Sequence, residues 1–121
     1  MIRVLIADYD LDSHELVDDL VEMIFRDVKI DRALSRESLF ARLGTADADY
    51  HLIIFNYSMH ESEITKVLDY VRSCNPDLME RIVFIITSEN LRERIPAQYP
   101  VLVKPYSLDE FSEVVKKTCA V

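Results

Sequence analysis

Four short stretches carry the side chains that could do chemistry: Asp8-Tyr9-Asp10, Asn56, Thr87-Ser88 and Lys104-Pro105. Carboxylates can hold a divalent cation or act as nucleophiles. Hydroxyls and a lysine add hydrogen-bond donors and one positive charge. An amide such as that of Asn56 is neutral and a poor nucleophile. Charge counting narrows the choice. Asp8 and Lys104 sum to zero, or to −1 if Asp10 turns inward, so a divalent ion finds little to neutralise. A lysine beside one aspartate then reads as a structural ion pair. Each stretch has a plainer reading as well. Asp8 and Asp10 can be solvated acids, Tyr9 a packed aromatic, Ser88 a helix cap and Lys-Pro a turn entry.

Other chemistries are excluded. The single glycine, Gly44, rules out phosphate-cradling loops such as GxGxxG or GxxxxGK[ST]. His14, His51 and His60 lack HExxH spacing, and Cys74 and Cys119 lack CxxC spacing, so no zinc site is expected. A net charge of −8 argues against nucleic acid and anionic membrane as direct partners. No apolar run reaches the length of a membrane span, and no signal peptide is read at the N-terminus. Reduced thiols and a cytoplasmic location are the expectation.

Positioning these residues falls to a repeating pattern of elements. Ile2–Ala7, Val28–Ile30, Leu52–Phe55, Ile82–Ile86 and Val101–Val103 are short apolar runs, too short for buried helices, and read as strands. The first, third and fourth are nearly unbroken, as in strands covered on both faces. Val28-Lys29-Ile30-Asp31 alternates and reads as an edge. Between them lie helical patterns. Asp12-Ser13-His14-Glu15 resembles a capping box, with Leu16, Leu20, Val21, Ile24 and Phe25 as an apolar stripe. Ser35 caps a helix that Gly44 can end. Ile64, Val67, Leu68 and Val71 mark a third helix, closed before Pro76. Pro96 limits the fourth to about Glu89–Ile95. Ser107-Leu108-Asp109-Glu110 opens the last, with Phe111, Val114 and Val115 facing inward. Alternation of this kind predicts one α/β domain over residues 1–121, a flavodoxin-like (βα)5 three-layer sandwich of order 2-1-3-4-5 with a shortened fourth helix. Cys74 and Cys119 then fall on opposite faces of the sheet and stay unpaired. In such a sheet, sites form beyond the C-terminal strand ends, where all four stretches sit.

Acids after strand one, Asn56 after strand three, Thr87 after strand four and Lys104-Pro105 after strand five together resemble the response-regulator receiver domain of two-component signalling. Met59, three residues past Asn56, also fits. The resemblance implies that Asp8 matches the first of two metal-holding acids. It implies that Asn56 stands where relatives carry a phospho-accepting aspartate, Thr87 where they carry the switch hydroxyl, and Lys104 where they carry the phosphoryl-contacting lysine. Pro105 follows a bond that is usually cis in relatives.

The departures set the functional expectation. Asn56 cannot take a phosphoryl group as a carboxylate does. Tyr9 replaces the second acid, a direct metal ligand in relatives, and His60 replaces a proline. Val101 replaces the switch aromatic, and the segment before Pro100 is short. The expectation is a pseudo-receiver, a non-enzymatic protein-interaction module with Mg2+ binding weak or absent and no other cofactor. Its surface would lie around Arg92, Arg94, Val101 and Tyr106. The partner would be a signalling protein, a histidine kinase or an output protein, or a second copy of the chain. Alternatives are a phosphorylatable receiver, with Asp10 as acceptor or Asn56 an engineered replacement. A haloacid-dehalogenase-type phosphatase, using Asp8-Tyr9-Asp10 as its DxD motif, is a further alternative.

Overall fold

β-Branched runs become strands here, and the gaps between them become helices. The computed structural model describes residues 1–8, 11–44, 49–56, 61–86 and 89–119. The strands are β1 (Ile2–Ala7), β2 (Val28–Ala33), β3 (Leu52–Asn56), β4 (Ile82–Ile86) and β5 (Val101–Val103). They form one parallel sheet of order β2-β1-β3-β4-β5, the predicted one. The central strands β3 and β4 are buried at every position, which explains their unbroken apolar sequence. β2 is an edge, as its alternation predicted, and runs three residues past Ile30.

Side-chain alternation sorts the core into two halves. Leu5, Ile53, Phe55, Phe84 and Ile86 face one side with Leu39 and Leu43 of α2 (Arg36–Leu43) and Ile64, Val67 and Val71 of α3 (Glu61–Cys74). Val4, Ile6, Leu52, Ile54, Val83 and Ile85 face the other with Val17 and Val21 of α1 (Leu11–Ile24) and Phe111 and Val115 of α4 (Leu108–Thr118). Full burial of residues such as Phe111 contributes about 1.5–3 kcal/mol each. Cys74 ends α3 and is exposed, while Cys119 caps α4 and is buried. Both thiols are free and belong to opposite faces.

Helix ends follow their chemistry. Ser35 Oγ accepts from the Ser38 amide at 3.1 Å, and Ser107 Oγ accepts from the Glu110 amide at 3.0 Å. Gly44 ends α2 with an ordinary right-handed backbone, its N–H donating to Phe40 O at 2.9 Å. Space is what demands glycine there. A Cβ would collide with the Tyr70 hydroxyl, which itself donates to Phe40 O at 3.2 Å. The Phe40 and Tyr70 rings stack with centroids 4.4 Å apart.

Two local expectations need correction. Leu11 is already helical, so Asp12 lies inside α1 and the cap position falls on Asp10, outside the described residues. The stripe of α1 is deepest at Val17 and Val21 rather than at Leu20, Ile24 and Phe25, which are only partly buried. α3 closes at Cys74, before Pro76, as predicted. Pro76 then opens a 3-10 turn, Pro76–Arg81, that buries Leu78. The fourth crossover carries a second 3-10 turn, Glu89–Arg94, with no buried residue of its own. That is the shortened helix predicted from Pro96.

Candidate functional site

Register brings the two central strand ends together. Ala7 pairs with Phe55, so the next residues, Asp8 and Asn56, lie side by side. Both continue the alternation of Ile6 and Ile54 toward the α1 and α4 side. Asp8 is 0% exposed and Asn56 3% exposed. Asn56 Nδ2 donates to Asp8 Oδ2 at 2.6 Å. A charge-assisted bond of this kind contributes about 1.5–3 kcal/mol and holds the buried carboxylate in place. The Asp8 N–H is also used, donating to Ala33 O of β2 at 3.1 Å.

Lys104 follows β5, its N–H donating to Ile86 O at 2.8 Å, and the Lys104–Pro105 bond is cis. Among the described residues it forms no ion pair, so the expected Asp8–Lys104 pair is not found. The amide of Asn56 takes the carboxylate, while Lys104 lines a groove with Leu20, Pro105, Tyr106 and Leu108. Tyr9, Asp10 and Thr87 lie outside the described residues. One oxygen of Asp8 already accepts an N–H, and Asn56 presents that N–H rather than its own oxygen.

The expected interaction surface is built from the 3-10 turn, β5 and the approach to α4. Arg92 clasps Glu89 through two bonds, of 2.7 and 3.2 Å. That pairing lowers the Glu89 carboxyl below its ordinary range. Arg94 is exposed. Val101 is half-buried against the cluster that includes Ile95 and Tyr99. Tyr106 stacks on Phe111 at 5.6 Å, and its buried hydroxyl has no hydrogen-bond partner among the described residues. Burial raises the Tyr106 phenol above its usual value.

Two polar groups escaped the sequence reading. Asp31 on β2 accepts from Tyr50 Oη at 2.8 Å and pairs with Arg3 at 3.5 Å and Arg42 at 3.6 Å. The Arg3 guanidinium also sits 4.9 Å over the Tyr50 ring. Asp18, buried on α1, pairs with Arg32, yet neither of its oxygens accepts a well-formed hydrogen bond among the described residues. Only the spacing of Asp18 on the inner stripe of α1, one residue past Val17, signals it in the sequence.

No family model matches the chain, and no curated protein does. Solved structures do. A signal receiver domain of two-component signal transduction (histidine kinase) from Clostridium thermocellum superposes with a TM-score of 0.81 at 17% identity, covering 98% of each chain. The response regulator protein TrrA from Thermotoga maritima, solved with Mg2+-BeF, gives 0.78 at 22% identity, covering 98% of this chain and 99% of its own. A CheY-like receiver domain protein from Methanospirillum hungatei gives 0.74 at 16% identity, covering 97% and 92%. With its strand order and its polar strand ends, this chain has the fold of the response-regulator receiver domains of two-component signalling.

Proposed function

We propose that this domain is a pseudo-receiver, a receiver fold that works as a cytoplasmic protein-interaction module without phosphotransfer or other catalysis. The observation that carries the reading is the buried Asn56–Asp8 bond. At the acceptor position of the fold stands a neutral amide, its nitrogen committed to the neighbouring carboxylate. An amide nitrogen that donates its proton there has no nucleophilic pair to offer a phosphoryl group. Mg2+ would bind weakly or not at all, for the same bond uses an oxygen that the ion would need.

A switch needs a ligand with different affinities for two states. Without an acceptor, and with Val101 where an aromatic would swing, the partner is bound in one constitutive state. The partner is a signalling protein, a histidine kinase or an output protein, or a second copy of this chain. Contact is through Arg92, Arg94, Val101 and Tyr106. Intact-mass measurement after incubation with acetyl phosphate and Mg2+, under conditions that preserve acyl phosphates, tests the reading. No adduct is expected. A stoichiometric phosphate adduct would overturn it and favour a phosphorylatable receiver.

A further inference from the structure

A groove of about 560 Å3 opens between α1, the connection after β5 and the start of α4. That lies within the roughly 300–1,000 Å3 of small-molecule sites. Leu20, Pro105 and Leu108 form apolar walls, and Leu108 stands at the lip, 43% exposed. In a chain of net −8, the one formal charge among the described lining residues is a cation, Lys104. Lys104 has no ion pair among the described residues. Tyr106 adds its aromatic side chain to the lining.

We propose that this groove binds a small organic monocarboxylate with an apolar body. The carboxylate meets the Lys104 ammonium in a charge-assisted contact. The hydrocarbon body covers Leu20, Pro105 and Leu108, removing their apolar surface from water. One cation selects one anionic group. A second charge on the ligand would find no partner among the described lining residues. An amine of the same shape would face Lys104 and be repelled. The inference rests on the groove alone and holds whether or not the domain accepts phosphate.

Decanoate, titrated below its micelle concentration into the intact chain, is the probe. Calorimetry and amide NMR should show one saturable site with shifts centred on Leu20, Tyr106 and Leu108. Decylamine should bind at least tenfold more weakly. Lys104→Met, which keeps the stem and loses the charge, should weaken decanoate about tenfold or more. Leu108→Glu, at an exposed position that folding tolerates, should weaken it as much as Lys104→Met and decides the matter should another variant misfold. No saturable binding, equal affinity for decylamine, unchanged affinity in Leu108→Glu, or shifts centred elsewhere would each overturn the proposal.

Discussion

Two aspartates in this sheet are held by different chemistry. Asp31 sits on the edge strand, with a phenol at 2.8 Å and guanidiniums at 3.5 and 3.6 Å. Asp8 sits at the end of a central strand, fully buried, with the Asn56 amide at 2.6 Å. The edge acid has its charge answered by cations from β1 and α2. That arrangement ties three elements together and is structural. At the central strand end the Asn56 hydrogen bond comes from a neutral group, which orients the carboxylate. The difference shows two ways of fixing an acid in one sheet, paired guanidiniums at the edge and an amide hydrogen bond at the buried strand end.

Turning the donor into a second acid is the sharpest way to break the contrast. Asn56→Asp would bring two buried carboxylates to hydrogen-bond distance, and like charges so placed cannot both ionise freely. The pair takes up a proton instead. Starting from an ordinary carboxyl value near 4, holding one proton at pH 7 costs about 4 kcal/mol, at about 1.4 kcal/mol per pH unit. That figure is the expected loss of stability at neutral pH. The sign follows from linkage. The folded variant binds a proton that the unfolded chain has released, so stability is full below about pH 4 and falls as pH rises through the raised value of the pair. Denaturant unfolding between pH 4.5 and 7.5 should show this slope in the variant and not in the parent. Millimolar Mg2+ should not rescue it, because Tyr9 still stands at the second ligand position. Adding Tyr9→Asp should restore both Mg2+ binding and stability. A variant as stable as the parent at pH 7 would mean that Asp8 and Asn56 are not neighbours.

Deleting donors measures redundancy at the two acids. Asn56→Ala removes the amide from a fully buried carboxylate and should cost about 2–3 kcal/mol. Arg42→Ala leaves Arg3 and Tyr50 on Asp31, and Arg42 is itself 42% exposed, so the loss should stay under about 1 kcal/mol. Urea unfolding of the two variants side by side checks the order. Equal losses would remove the distinction between a buried acid held by an amide and an edge acid paired with guanidiniums.

Which of the two acids the sequence reveals has a physical reason. Asp8 and Asn56 each end an unbroken apolar run, and a polar residue after such a run in an α/β pattern marks a strand end and hence a site. Strand order, helix caps at Ser35 and Ser107 and the short fourth crossover were legible the same way, from period, cap chemistry and Pro96. Asp31 was not legible as a cluster. Its partners come from positions 3, 42 and 50, and only the folded register of β1, β2 and α2 brings them together. The Asp8–Lys104 ion pair was read from charge alone. Among the described residues Lys104 forms no ion pair and lines the groove with Leu20 and Leu108, while Asn56 bonds to Asp8. Tyr106 was read as part of the expected surface, but an aromatic after Lys-Pro does not say that its hydroxyl is buried without a partner among the described residues.

The Tyr50–Asp31 bond gives the smallest and most specific test of the edge acid. Tyr50 is 2% exposed, and its phenol is raised above the ordinary value of about 10, first by burial, then by its bond to Asp31 and the charge of that carboxylate. The folded protein therefore holds a proton that the unfolded chain gives up near pH 10. Stability from this group is fully present below about pH 10 and is lost as pH rises through the raised value. Tyr50→Phe has no such proton. At pH 7 it should be less stable by about 1 kcal/mol, the net worth of one hydrogen bond, with its ring packing kept. Above pH 10 the parent loses stability that the variant does not, so the gap between them should narrow and then close. Thermal melts of both proteins at steps from pH 7 to 11 read this directly. A gap that stays constant across the series would show that the phenol proton does not hold Asp31, leaving the two guanidiniums as the whole of what fixes the edge acid.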